Sequence, residues 1–264
     1  MAITTPEDDL AAPHALALEA GLTLSVIMPV FNEEGAIEGA VREVRDEVFG
    51  VVPAAELVVV DDGSRDRTGV ILEELARLDA RIRVIHKVNG GHGSALRAGL
   101  DAAVGEWFFL IDSDRQIPMS AFPAFWEAAR TRDGGFGVRT KRNDPRVRVW
   151  LSTIIATLLR PLLGVAILDA NVPFKVVRRG VWLAAEPMIP AETLAPSLFL
   201  AVYMVKAGYD VAEVSVPHKE RESGMVSIRR WRLLKFCVRG FGQLLAFRSR
   251  LARATRTAKA MRTG

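Results

Sequence analysis

The chain has 264 residues, half of them hydrophobic and a quarter charged, with one cysteine and a formal net charge of +4. That balance excludes a disordered, collagenous or disulfide-stapled protein and fits one large α/β domain with a substantial core. The charge is uneven: residues 1–217 carry 22 Lys and Arg against 29 Asp and Glu, and residues 218–264 carry 13 against 2. A basic tail on an acidic body points to a polyanionic partner: lipid head groups, nucleic acid or phosphates.

Residues 1–21 read as a mobile leader, acidic at Glu7, Asp8 and Asp9 and without the basic and apolar regions of a secretory signal. The lone Cys237 makes a reducing compartment the default. From Leu22 onward strands and helices alternate. An apolar run at Leu24–Val30 is followed by a helix over about Glu33–Val48 and a strand at Leu57–Val60. A helix from near Asp66 to Leu78 comes next, with Ser64 or Asp66 as its N-cap, then a strand at Ile82–Ile85. Ser94–Ala103 reads as a helix and Trp107–Ile111 as another buried strand. Near-continuous apolar strands separated by helices predict a largely parallel sheet covered on both faces, with ligands at the carboxyl ends of its strands.

The second half is less regular. Helices are expected over Pro145–Leu163 and Leu194–Ala207, strands at Asn171–Val177 and Val211–Val216, and a basic helix from about Ile228. The apolar stretch Trp150–Leu168 holds Arg160 and Pro161 inside it, with Thr153, Thr157 and Arg160 on one stripe. It therefore reads as a helix lying in an interface or packed on the core, not as a membrane span. In the basic helix, Trp231, Leu234, Val238 and Phe241 form an apolar stripe beside Arg232, Lys235 and Arg239. Such a helix suits a membrane surface, or equally a solvated face of the domain. No aromatic stacking platform accompanies the basic tail, so no nucleic-acid partner is expected.

Carboxylates gather at two strand ends. The strand Leu57–Val60 runs into Asp61-Asp62-Gly63-Ser64, where acceptor-only side chains could receive the N–H groups of a base and the hydroxyls of a ribose, or merely cap a turn. The strand Trp107–Ile111 ends in Asp112-Ser113-Asp114, with Gln116 two residues on. An extended Asp-x-Asp can turn both side chains to one side, supplying hard oxygen ligands for Mg²⁺ or Mn²⁺. Between them Asn89-Gly90-Gly91-His92-Gly93-Ser94 opens a helix. Its glycine spacing and its place after the third strand do not match a dinucleotide fingerprint, so it reads as a close backbone approach. His92 is open between a loop and a catalytic role.

With these motifs in order, the chain resembles family 2 glycosyltransferases. The resemblance is carried by Ser25-Val26-Ile27-Met28-Pro29-Val30-Phe31-Asn32-Glu33-Glu34, by Val58 to Ser64, by the glycine-rich segment through Gly99, and by Asp112-Ser113-Asp114-Arg115-Gln116. It implies a GT-A fold, Rossmann-like, over residues 22–217, a divalent metal, and inversion at the anomeric carbon. Further along, Gly137-Val138-Arg139, Arg148 with Ser152, and Arg221-Glu222-Ser223-Gly224 are similar to the dolichol- or polyprenyl-phosphate sugar synthases of that family. The resemblance implies that Pro29, Phe31, Glu33, Val60, Asp61, Asp62 and Ser113 meet the nucleotide. It puts Asp112, Asp114 and Gln116 on the metal. Arg139, Arg148, Ser152 and Arg221 would surround the phosphates of donor and acceptor, with Asp114, Arg139 and Arg221 as the catalytic set. Where the family has Ser-Lys after its Arg-x-x-Gly, this chain has Val226-Ser227, and Arg229 or Arg230 would supply the missing cation.

The partners implied are a nucleotide-diphosphate sugar (UDP or GDP) and a lipid phosphate at a membrane surface, with the enzyme peripheral on the cytoplasmic face and residues 218–264 as its basic loop and amphipathic tail. The final helix pair of some relatives is not seen in this sequence, so the protein is expected to be peripheral or monotopic. A lipid phosphate is already anionic at pH 7 and needs orienting cations more than a general base. Two other readings stay open: transfer to a hydroxyl, which needs Glu192 or Asp210 as base, and a membrane-associated binding module without turnover.

Overall fold

The structure, a computed structural model, describes residues 21–140, 164–193, 195–219, 240 and 242–251. Its elements in chain order are β1 (Leu24–Val30), α1 (Ile37–Glu43), β2 (Ala55–Asp61), α2 (Thr68–Leu78), β3 (Ile82–His86), α3 (His92–Ala102) and β4 (Trp107–Ile111). Then come α4 (Phe122–Arg130), β5 (Gly134–Arg139), β6 (Phe174–Arg178), α5 (Arg179–Ala185), α6 (Pro196–Ala207) and β7 (Val211–Val216).

β1, β2 and β4 are buried along their whole lengths, as their unbroken apolar runs require when helices cover both faces. The strands form one sheet of order β3-β2-β1-β4-β6-β5-β7. All pair in parallel except β6, which is antiparallel to β4 and β5. Alternation along the strands splits the core in two. Leu24, Val26, Met28 and Val30 of β1, with Leu57 and Val59 of β2 and Trp107, Phe109 and Ile111 of β4, face α1 and α4. Ile27, Val58, Val60, Phe108 and Leu110 face α3, α5 and α6. Phe109 is clasped on its face by Phe122 at 4.9 Å and Phe174 at 4.8 Å, which anchors the strand that ends in Asp112.

The expected α/β architecture and mostly parallel sheet are present. The differences have local causes. The first helix does not begin at Glu33. The N–H groups of Glu33 and Glu34 go to the Thr68 hydroxyl and the Asp66 carboxylate, and regular helix starts only at Ile37, changing to a π-helical turn over Val44–Val48. Pro196, suited to a helix's first turn, starts α6 two residues after the expected Leu194. The strand β5 and the helices α4 and α5 carried no clear pattern. Gly134-Gly135 looks like a turn in sequence, yet each lies in a strand that another chain segment approaches closely. A Cβ at Gly134 would stand 2.5 Å from the Val176 carbonyl oxygen, and one at Gly135 2.8 Å from Ala129 Cβ. The segments 145–163 and 228–239, expected as amphipathic helices, lie outside the described residues, while 242–251 is helical.

The chain runs β1, β2, β3 outward to one edge, then returns to place β4 beside β1. The crevice between the carboxyl ends of β1 and β4 is therefore the switch point at which such sheets bind ligands. Gly134→Ala should lower stability by about 1–3 kcal/mol, because a main-chain oxygen in the β5–β6 ladder cannot move aside. Urea denaturation should show a lower midpoint with an unchanged slope.

Candidate active site

Four loops leave the carboxyl ends of β1 to β4, and hydrogen bonds tie neighbouring ones together. After β1, Asn32 donates its N–H to Ser64 Oγ at 2.9 Å and accepts the Arg65 N–H at 2.8 Å. Glu33 N–H reaches Thr68 Oγ1 at 2.8 Å, and Glu34 accepts the Arg67 N–H at 3.0 Å. The β1 and β2 loops are thus laced together from Asn32 to Glu34 and from Ser64 to Thr68, with Phe31 left 44 % exposed at the cleft. Pro29 and Val60 are buried opposite one another in the β1–β2 ladder. The Val60 side chain packs toward Gly99, so only its main chain faces the cleft end of the strand.

The two acids after β2 are engaged within the protein. Asp62 is almost wholly buried, and Oδ1 accepts from Lys87 Nζ at 2.6 Å and Gly90 N at 2.9 Å, while Oδ2 accepts from Gly91 N at 2.7 Å. It binds the glycine loop much as a bound anion would be held by backbone N–H groups. Gly63 allows this with φ +73°, since a Cβ there would lie 2.9 Å from Asn89 N. Asp61 accepts the Ser64 N–H and pairs with His86 Nδ1 at 3.0 Å, and His86 Nε2 meets Glu73 at 2.8 Å. Partial burial opposes charge on His86, but its bonds to Glu73 and Asp61 outweigh it and raise its pKa.

After β4, Asp112 and Asp114 stand in the cleft on either side of buried Ser113. Asp112 keeps a third of its side-chain surface open but lies deep among other groups. Burial pushes its carboxyl above the usual range; His92 opposes that, Asp114 adds to it, and Lys175 and Arg139 pull it down. His92, at the start of α3, brings Nε2 to 3.9 Å from Asp112 Oδ1, so this histidine faces the acid pair. Asp114 Oδ1 accepts the Gln116 N–H at 3.1 Å. Gln116 and Lys219 clasp each other: Lys219 N–H donates to Gln116 O at 2.7 Å, and Gln116 Nε2 to Lys219 O at 3.4 Å.

Among the described residues no group of three or more His, Cys, Asp or Glu side chains gathers as a closed metal cage. Asp112 and Asp114 do fit Mg²⁺ or Mn²⁺. They offer hard oxygens side by side, their mutual repulsion is what a dication relieves, and ions of this kind commonly take their other ligands from substrate phosphates and water.

Arg139 ends β5 and grips buried Asp169 through Nε at 2.7 Å and Nη2 at 2.9 Å. Beneath them Lys175, fully buried on β6, donates to the Val172 carbonyl and to Ser197 Oγ at 2.9 Å. Burial lowers its pKa to about 7, against the pull of Asp169. Asp169, Lys175, Lys87 and His86 were not singled out in the sequence. Lys175 had a visible signal, a cation inside the apolar run Phe174–Val177. Arg148, Ser152, Arg221 and Arg229 lie outside the described residues. Asp210 stands at the amino end of β7, paired with Arg132 at 2.7 Å, the opposite end of the sheet from Asp112. It cannot serve this cleft as a base.

Asp62→Ala should cost about 3 kcal/mol or more, because three donors lose a charged acceptor; thermal and urea melts would measure it. His86 predicts a pH dependence. Its folded pKa is above its unfolded value of about 6.5, so its stabilisation is complete below that pH and is lost as pH rises through the folded value. Relative to His86→Asn, the wild-type melting temperature should therefore decline as pH rises above about 6.5.

Residues 25–181, more than half of the chain, match the family described as Glycosyl transferase family 2. Among curated proteins, the chain is 30% identical over 214 residues to an undecaprenyl-phosphate 4-deoxy-4-formamido-L-arabinose transferase of Pseudomonas aeruginosa, covering 80% of this chain and 62% of that protein. It thus spans less than two thirds of that relative's length. An uncharacterized glycosyltransferase, EpsJ of Bacillus subtilis, is 37% identical over 129 residues, 48% of this chain and 37% of that one. Among solved structures, glucosyl-3-phosphoglycerate synthase from Mycobacterium tuberculosis, in complex with Mn²⁺, uridine diphosphate and phosphoglyceric acid, superposes with a TM-score of 0.63 at 23% identity. That match covers 90% of this chain and 82% of that one, and it shows a shared fold. With its acid-tipped strands at the switch point and the family match running from β1 into α5, the chain belongs to glycosyl transferase family 2.

Proposed function

We propose that the protein moves a sugar from a nucleotide diphosphate, UDP or GDP, to the phosphate of a polyprenyl lipid, working with Mg²⁺ or Mn²⁺ on the cytoplasmic face of a membrane. The observation that carries this is the Asp112–Asp114 pair at the β1/β4 switch point, with Arg139 and Lys175 near enough to act on its charge. A curated relative whose name specifies undecaprenyl phosphate supports the acceptor class. Among the described residues no helix is long and apolar enough to cross a membrane, so attachment is assigned to the basic segment 218–264, and residues 22–217 to transfer.

In this reading Phe31 and Glu33, with the main chain near Pro29 and Val60 and the Ser113 turn, receive the nucleotide. Asp61 and Asp62 shape its pocket through their bonds to Ser64 and the glycine loop. Asp112, Asp114 and Gln116 would hold the metal, which when bound offsets charge gathering on the departing diphosphate. Arg139, fixed by Asp169, together with Arg148, Ser152, Arg221 and Arg229 orients donor and acceptor phosphates. The lipid phosphate oxygen attacks the anomeric carbon as the bond from that carbon to the diphosphate breaks, inverting the centre. The nucleophile carries no proton to remove, so no base is called for.

One observation keeps transfer to a hydroxyl in view. Glu192 lies on the segment leading into α6, whose Ser197 bonds Lys175, whereas Asp210 lies at the amino end of β7.

Full-length protein in detergent, offered UDP- and GDP-sugars with Mn²⁺ or Mg²⁺, should add one sugar to polyprenyl phosphate and none to polyprenol, as read by mass spectrometry. EDTA should abolish transfer, and Asp114→Ala should lower it about 100-fold or more. Donor hydrolysis without lipid product, or a glycosylated hydroxyl whose formation needs Glu192, would overturn the acceptor assignment.

A further inference from the structure

Two non-glycine residues among those described have left-handed backbone, Asn32 at φ 52° and Arg115 at φ 56°. They sit on the loops after β1 and β4, one on each side of the switch point. Such conformations are costly for L-residues and persist where the surroundings impose them. Asn32 belongs to a residue type that tolerates the region, and it is bonded to Ser64 and Arg65. Arginine has no such tolerance, and Arg115 falls between Asp114 and Gln116.

Its side chain explains the geometry. The guanidinium crosses to Glu43, the last residue of α1, with Nε donating to Oε1 at 2.8 Å and Nη2 within 2.7 Å of the same oxygen. The other oxygen, Oε2, accepts the Met119 N–H at 3.4 Å. One carboxylate therefore holds the Arg115–Met119 stretch at both ends. A turn earlier on α1, Gly39 makes room: a Cβ there would stand 2.9 Å from Arg115 Nη1. Gly39 and Glu43 are four residues apart on one face of the helix, so together they form a socket for the guanidinium. The pair is half-buried, with Arg115 35 % and Glu43 25 % exposed, which shields it from solvent better than a surface pair.

We propose that Glu43 and Arg115 are positioning residues for the metal loop: their ion pair holds the left-handed turn that sets Asp114 and Gln116 beside Asp112, and so controls metal-dependent nucleotide binding. This rests on the metal site proposed above. In this role neither residue would be a ligand of the metal; both would act through the main chain of the loop. A gripped carboxylate pair is oriented before the cation arrives, and supporting residues of this kind commonly change metal affinity by about 10–100-fold.

The test is Mn²⁺ binding to the full-length protein in the presence of UDP or GDP, followed by the EPR signal of free Mn²⁺, with melting temperature recorded alongside. Arg115→Gly frees the backbone strain but removes the grip; Glu43→Gln keeps the shape and removes the charge. Both should weaken Mn²⁺ binding about 10-fold or more, and in transfer assays raise the Mn²⁺ concentration for half-maximal rate by a similar factor. The melting temperature of Arg115→Gly should change little. The exchanged double variant Glu43→Arg/Arg115→Glu should recover part of the lost affinity. Wild-type affinity in both single variants, or affinity lost only in step with melting temperature, would overturn the positioning role. Absence of Mn²⁺ binding by the wild type would instead overturn the metal reading beneath it.

Discussion

Asp112 and Asp114 stand two residues apart at the end of β4, each disfavouring charge on the other, and much of the site offsets that repulsion. Burial and Asp114 together hold the Asp112 carboxyl above its usual range. Against them stand three positive or potentially positive groups from three different elements: His92 from the start of α3, Arg139 from the end of β5 and Lys175 from β6. Those cations need partners in turn, since an unpaired buried charge costs several kcal/mol, of order 3–5. Asp169 supplies two oxygens to Arg139, and Val172 and Ser197 take the ammonium of Lys175. The result is a chain of alternating charges running from the cleft into the core between β6 and α6.

Loops form the cleft, yet hydrogen bonds confine them. The β1 and β2 loops share reciprocal bonds through Asn32, Glu33, Ser64 and Thr68. Asp62 fastens the glycine loop, and Glu43 fastens the loop after β4. Each fastening is a side chain from one loop or helix end closing on backbone or side-chain groups of another. Such cross-bracing lets irregular backbone keep a defined shape, which transfer chemistry requires of the groups around the reacting atoms. The same bracing spends carboxylates. Asp61 and Asp62 look in sequence like groups waiting for a ligand; in the fold their oxygens also bond to His86, Ser64, Lys87, Gly90 and Gly91.

The join between body and tail falls at the same place. Lys219, at the edge of the basic segment, exchanges two hydrogen bonds with Gln116 of the acidic loop. The strand β7 thus delivers the start of the tail directly to the cleft.

The sheet and the two acid motifs were legible in the sequence because they depend on local pattern. Unbroken apolar runs such as Val58–Val60 and Trp107–Ile111 admit few structures other than doubly covered strands, and acids directly after them must lie at carboxyl ends. The motifs Ser25–Glu34, Val58–Ser64, the glycine-rich segment through Gly99 and Asp112–Gln116, in that order, carried the resemblance to the family. Packing decided the rest. β5 was hidden because Gly134 and Gly135 are there to admit Val176 and Ala129, a demand no neighbour in sequence expresses. Asp169, Lys175 and Glu43 acquired meaning only when the fold brought them to Arg139, Ser197 and Arg115, partners 22 to 72 residues away. Asp210 lost its candidacy as a base by falling at the wrong end of β7. Periodicity and strand-end chemistry are properties of short windows, and the sequence by itself determined what they could determine, the fold class and the acidic pair, while the resemblance of its motifs pointed to the family. Which charge answers which is a property of distance in space, and the tertiary structure alone decided it.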